Sequence, residues 1–178
     1  MSLEIEVKAK IDDIEAIEKK LIEQGAVYLG EVIEEDHYFN SPVRDFSKSD
    51  ETLRVRITKS KSQNPNSEIT YKGPKLSQKT KTRKELTVNV DDTRNAIELF
   101  HELGFTPVTV VMKIRRKYKL NDIYIFLDRV EGLGAYIELE YHKETDIETG
   151  EKVLIDFLKS LGIEKMERRS YLELLLQT

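Results

Sequence analysis

The stretch Glu4-Ile5-Glu6-Val7-Lys8-Ala9-Lys10 decides the fold. Side chains on a strand alternate between faces, so Glu4, Glu6, Lys8 and Lys10 share one face and Ile5, Val7 and Ala9 the other. The pattern recurs. Leu53-Arg54-Val55-Arg56-Ile57 aligns two arginines against three aliphatics, and Ile69-Thr70-Tyr71-Lys72 sets Lys72 opposite Ile69 and Tyr71. Lys113-Ile114-Arg115 repeats the arrangement, and Tyr136-Ile137-Glu138-Leu139-Glu140 adds two more aligned carboxylates. At least five strands thus carry one apolar and one strongly charged face. An antiparallel sheet with its charged face in water is the common way to use such strands. Here the charges are Glu and Arg at consecutive same-face positions, and the chain also supplies amphipathic helices to cover the apolar faces. If those helices pack outside, the charged faces line an interior.

Composition narrows the class. The 178 residues suit a single domain, 1–178, with a substantial core. The formal charge of -4 gives no bulk attraction to a nucleic-acid polymer or an anionic membrane. Hydrophobic residues are periodic and make up 39% of the chain, which argues against disorder despite 35% charged residues. With no cysteine, disulfides, zinc–thiolate sites and thiol nucleophiles are excluded together. No signal peptide or long apolar run is visible, so a soluble, cytoplasmic protein is expected.

In chain order, a strand over about 3–11 runs into Asp12-Asp13, which can cap a helix. Ile14, Ile17 and Leu21 lie at helical spacing, and Gly25 supplies the stop. Residues 27–39 read as a strand, Asn40 to Asp50 as a loop, and 52–59 and 67–72 as strands. Gly73-Pro74 then breaks the ladder. Lys75 to Lys81 reads as a lysine-rich loop, the run Lys75 to Arg83 as solvated or as a lid folding onto bound phosphate, and Arg83 to Val90 as a strand with Leu86, Val88 and Val90 on one side. The chain then starts again. Asp91-Asp92 stands seventy-nine positions after Asp12-Asp13, and the same offset sets Glu85 on Glu6, Phe100 on Leu21 and Gly104 on Gly25. A helix over Thr93 to Leu103 (Ala96, Ile97, Phe100 and Leu103 on one side) leads into strands near 107–119, 122–130 and 135–142. The expected fold is α+β: an eight-stranded antiparallel β-barrel with helices outside, built as a two-half pseudo-repeat. Eight strands can enclose one small ligand. A helix over Thr149 to Leu161 and an apolar tail, Tyr171 to Leu176, complete the chain.

Inward-facing guanidinium and ammonium groups without a polymer-scale basic surface suit a compact polyanion, because arginine's fork matches phosphate. Carboxylates in the same cavity would repel that anion unless a divalent cation intervened, and Mg²⁺ is held by one or two carboxylates plus substrate phosphates. Acidic and basic groups together therefore suggest a metal–triphosphate site. Internal salt bridges with no ligand are the alternative.

The ordered series Glu4-x-Glu6-x-Lys8, Leu53-Arg54-x-Arg56, Thr70-Tyr71-Lys72-Gly73-Pro74, Lys113-x-Arg115 and Asp128-Arg129-Val130-Glu131-Gly132-Leu133-Gly134-x-x-x-Glu138-x-Glu140, closed by Arg169-Ser170-Tyr171, resembles the CYTH superfamily, the triphosphate tunnel metalloenzymes. Asp36-x-Tyr38-Phe39 and Glu131-Gly132-Leu133-Gly134 are most similar to its class IV adenylyl cyclase branch. The resemblance implies an antiparallel tunnel, Mg²⁺ or Mn²⁺, and a small triphosphate substrate: ATP, inorganic triphosphate or thiamine triphosphate. It further implies that Lys8, Arg54, Arg56, Lys72, Lys113 and Arg115 bind the substrate, joined by Arg83. Glu4, Glu6, Asp128, Glu138 and Glu140, with Glu85, would hold metal, and Glu6, Asp128 and Glu138 would carry catalysis; Arg83 and Glu85 enter because they lie in phase with the same strand face, and a rim salt bridge is their alternative. A cyclase, a triphosphate hydrolase and a non-catalytic binding module all fit the pattern. A homodimer is plausible for such a protein. Tyr38, Phe39 and Tyr136 could stack on a purine, though strand aromatics more often serve the core. His37, His101 and His142 show no metal-binding spacing, and only His142, beside the Glu138/Glu140 strand, is a candidate ligand.

Overall fold

Alternating segments become strands and helix-period segments become helices. The computed structural model describes residues 2–61, 64–78, 80–142 and 145–177, with side chains from Ile5 onward. The strands are β1 (Ser2–Lys10), β2 (Val27–Asn40), β3 (Thr52–Ser60), β4 (Asn66–Lys75), β5 (Arg83–Val90), β6 (Thr106–Leu120), β7 (Ile123–Val130) and β8 (Gly134–Tyr141). The helices are α1 (Ile14–Glu23), α2 (Phe46–Ser49), α3 (Thr93–Glu102), α4 (Ile147–Ser160) and α5 (Tyr171–Leu175).

All neighbouring strands are antiparallel, and they close a barrel in the order β1-β5-β4-β3-β2-β6-β7-β8. That order is unchanged when β1–β4 are exchanged with β5–β8, so the repeat read from the sequence is a pseudo-twofold axis. The register carries the same offset. Glu4 pairs with Arg83 and Glu34 with Lys113, each seventy-nine positions on, so the axis passes through both seams between the halves.

The main core lies outside the barrel wall. Ile5, Val7 and Ala9 pack with Ile125, Leu127, Ile137 and Leu139 under Ile14, Ile17 and Leu21 of α1 and Leu154 and Leu158 of α4. Asp13 caps α1 by accepting from the Ala16 amide, and Gly25 at φ 87 reverses the chain. Phe39, Phe46, Leu53 and Val55 form a second cluster beneath Ile97 and Phe100 of α3.

Four expectations need correction. Gly73-Pro74 does not end β4, because the register shift between Lys72 and Lys75 absorbs it as a bulge. The Asn40–Asp50 segment holds the single turn α2, capped by Asp45. Leu103 is exposed rather than seated under α3. The helices also leave part of the apolar exterior bare. With α3 on β3 and α4 on β1 and β8, Leu86 and Val88 of β5 remain about half exposed at 49% and 50%.

Candidate active site

The inward rows meet as cross-strand pairs, which is why the charges tolerate enclosure. Arg56 stands opposite Asp36, Arg115 opposite Asp128, Lys72 opposite Glu85, Glu34 opposite Lys113, and Lys8 opposite Glu138. Glu6 breaks the rule by facing Glu140. Two arginine forks dominate. Arg56 donates through Nε and NH2 to Asp36 at 2.6 and 2.8 Å, and Arg115 does the same to Asp128 at 2.7 and 2.6 Å. Asp36 and Arg115 occupy equivalent positions of the two halves, so the second fork repeats the first with donor and acceptor exchanged. The fold is symmetric while its charge is not.

The forks belong to one network. Lys113 Nζ lies 2.7 Å from Asp36 and 2.9 Å from Glu34. Arg115 NH2 also donates to Glu138 at 2.5 Å, and the Tyr171 hydroxyl donates to Asp128 at 2.7 Å. Lys81 Nζ bridges Glu138, at 3.1 Å, and Glu6. Burial opposes ionisation of Glu6, yet Lys81 and Lys72 hold its carboxyl below the ordinary value. Glu138 and Asp36 are likewise driven well below the usual range against burial, by Lys81 and Arg115 in one case and Arg56 and Lys113 in the other. Internal ion pairing, the alternative reading of the sequence, therefore describes much of the interior.

Other cations are held loosely. Arg54 reaches Asp36 and Glu68 only at 3.8 Å, and its buried Nε has no hydrogen-bond partner among the described residues. Arg83 touches the Asp50 carbonyl at 3.4 Å and its carboxylate at 3.6 Å. Such groups can turn to an incoming anion without dismantling a fork.

A single cavity gathers Glu6, Arg54, Arg56, Lys72, Arg83, Lys113, Arg115, Glu138 and Glu140 on its wall. Three residues proposed from the sequence stand outside that lining. Asp128 is fully buried and bound by Arg115 and Tyr171, so it orients the arginine rather than facing the cavity. Glu85 pairs with Lys72 at 2.8 Å. Lys8 lies behind the wall with Nζ 3.9 Å from the Tyr171 ring centre; burial, then Lys81, lowers its amine to about 7. Glu4 lies outside the described side chains. Of the three rings offered for base stacking, Tyr38 lines the cavity, whereas Phe39 packs outside against Phe100 and Tyr136 meets Tyr171 edge-on. His142 is turned to Glu140 at 3.1 Å.

The cavity also contains residues that the sequence reading did not assign: Asp36, Lys81, Thr52, Ser170 and Tyr171, with Glu34 just behind. Lys81 was readable as the same-face neighbour, two positions before Arg83. Its placement in a loop hid it, and the solvated-loop reading fails there because Lys81 is only 7% exposed.

Among the described residues no three His, Cys, Asp or Glu side chains converge as a metal cage. The donors present are nevertheless suited to a hard cation, being carboxylate oxygens only. Glu6 and Glu138 already lie close enough to share one cation, the Lys81 ammonium. Glu6 and Glu138 thus fit a divalent ion, with Glu140 on the same cavity wall.

Comparison with known proteins identifies the family. The model of the CYTH domain family matches residues 2–173. The Methanocaldococcus jannaschii protein MJ0240, named provisionally as an adenylate cyclase, is 41% identical over 177 residues, covering 97% of this chain and 98% of its own. Adenylate cyclase CyaB of Aeromonas hydrophila is 26% identical over 175 residues, covering 94% and 86%. Among solved structures, the PH1819 protein of Pyrococcus horikoshii superposes with a TM-score of 0.91 at 41% identity, over 98% of each chain.

Proposed function

Because the chain belongs to the CYTH domain family, we propose that it is an enzyme that binds a triphosphate in the barrel and acts on it with a divalent metal. The observation that carries this reading is the single cavity where seven Arg and Lys side chains face four carboxylates. A bound Mg²⁺ or Mn²⁺ would supply charge neutralisation and polarisation of phosphoryl oxygen. Glu6, Glu138 and Glu140 would hold it. Arg54, Arg83 and Lys72 would make first contact with the anion, since Arg54 and Arg83 are weakly engaged. Arg56, Lys113 and Arg115 would fix the inner phosphates, and the forks to Asp36 and Asp128 keep them aimed without reorganisation. Catalysis is then positioning plus stabilisation of developing charge.

The finer assignment is an adenylyl cyclase. The ribose 3′-oxygen attacks the α-phosphorus, the bond to the β-phosphate oxygen breaks, and pyrophosphate leaves. The resemblance of Asp36-x-Tyr38-Phe39 to the class IV branch and the name of the Aeromonas relative support this assignment. One observation favours a second reading, hydrolysis of inorganic or thiamine triphosphate: among the described residues Tyr38 and Tyr171 are the only rings on the cavity wall, and Tyr171 is committed to Asp128. Incubation with ATP, inorganic triphosphate and thiamine triphosphate, each with Mg²⁺ or Mn²⁺, tests both. Cyclic AMP with pyrophosphate is the expected outcome, orthophosphate establishes the hydrolase, and no product in any combination overturns the enzyme.

A further inference from the structure

Lys81 sits where the metal of the proposed reading would sit. We propose that its ammonium is a resident, displaceable cation: it neutralises Glu6 and Glu138 while no divalent ion is bound, then moves to the substrate phosphates once one binds. The inference rests on the metal-dependent reading above and concerns only this side chain.

The geometry is built for such a role. Lys81 is delivered by the segment between β4 and β5, and its amide donates to the Glu6 carbonyl at 3.1 Å, which continues the β1–β5 register beyond Glu4 and Arg83. The segment is fastened on both sides of the lysine. Leu76 N donates to Thr82 O at 2.7 Å, and the Thr80 hydroxyl donates to Glu151 of α4 at 2.6 Å. Glu151 is itself buried, and α4 approaches closely here because Gly150 lies against Ile5. The backbone is thus held while the long side chain retains its own rotations. Its charged end meets two carboxylates at once. A divalent ion between Glu6 and Glu138 would meet the ammonium at contact distance, a repulsion large enough to expel it. The displaced amine need not leave the cavity, whose wall already carries Lys72 and Arg83 beside it for an anion. Metal binding would thereby add one more cation to the phosphate grip, making metal binding precede tight triphosphate binding.

Two measurements test this without turnover. Calorimetric titration with Mn²⁺ alone should show Lys81→Met, a near-isosteric neutral change, binding at least about ten-fold tighter than the native protein. In the native protein, the acylation rate of Lys81 by a small amine reagent, followed by mass spectrometry, should rise on adding Mn²⁺ and fall again on adding inorganic triphosphate. The second readout decides the matter even if Lys81→Met does not fold. Unchanged Mn²⁺ affinity in a folded variant, or acylation indifferent to Mn²⁺, overturns the inference. If the native protein still binds Mn²⁺ and turns over a triphosphate, the proposed function survives that failure. If neither protein binds Mn²⁺, both fall.

Discussion

Glu138 shows how one residue can serve both chemistry and stability. Its carboxylate joins Arg115 to Lys81 inside the barrel, so neutralising it leaves two buried cations short of a partner. Glu138→Gln should lose about 3 kcal/mol in chemical denaturation, and the folded fraction should lose at least about a hundred-fold in turnover. Near-native turnover would remove Glu138 from the catalytic set. Arg54 and Arg56 share a strand face but should respond differently. Arg54 has only 3.8 Å pairings among the described residues, so Arg54→Ala should cost less stability than loss of a forked arginine. It should nevertheless weaken inorganic triphosphate at least about ten-fold by calorimetry, through loss of charged hydrogen bonds. Arg56→Ala strips Asp36 of its fork and should destabilise by about 3 kcal/mol. In both variants monophosphate binding should suffer less than triphosphate binding, and equal losses would count against a triphosphate grip. The basic residues were legible because strand alternation sets face and charge together. The pairings were not, since register across strands decides whether an aspartate such as Asp128 meets the cavity or an arginine.

Helix α5 shows what a short element contributes. Five residues cannot hold a helix by propensity, and here a capping box does much of it. Ser170 accepts from the Glu173 amide while the Glu173 carboxylate accepts from the Ser170 amide at 2.6 Å. Glu173 also reaches Lys75 of β4 at 3.2 Å. The helix carries Tyr171 to Asp128. Ser170→Ala should therefore cost about 1 kcal/mol and raise KM for the triphosphate while kcat falls little. An unchanged KM in a destabilised protein would confine α5 to a structural role. Elements were the most legible level of this chain, because Asp13, Asp92 and the glycines after α1 and α3 mark helix ends directly. Gly73-Pro74 misled because the same dipeptide that ends many strands here makes a bulge inside one. Lys81 was hidden for a related reason: the segment holding it has no period, and contacts distant in sequence, the β1–β5 register and Glu151 of α4 among them, pull it inward.

At the scale of the whole molecule, the repeat in the sequence foretold barrel closure, and the reversed charges between the halves set how the barrel responds to pH. The carboxyls of Glu6, Asp36 and Glu138 sit below their ordinary values in the folded chain. A depressed carboxyl contributes stability above its unfolded value, 4.5 for glutamate, and that contribution is lost as pH falls through the folded one. Melting temperature should therefore hold from neutrality down to about pH 5 and drop steeply below it, as the ionic interior is protonated into unpaired cations. Lys8 acts in a different window. Its amine lies at about 7 in the folded chain against 10.5 unfolded, so the folded state binds the proton less well. Its contribution is complete above 10.5 and is lost as pH falls from 10.5 towards 7. Lys8→Met removes that titration. The difference in stability between Lys8→Met and the native protein should widen as pH is lowered from about 10 to 7 and stay constant between 7 and 5. A difference independent of pH across the alkaline range would mean that Lys8 is charged in the folded barrel and that Tyr171 and the neighbouring carboxylates hold it as an ammonium.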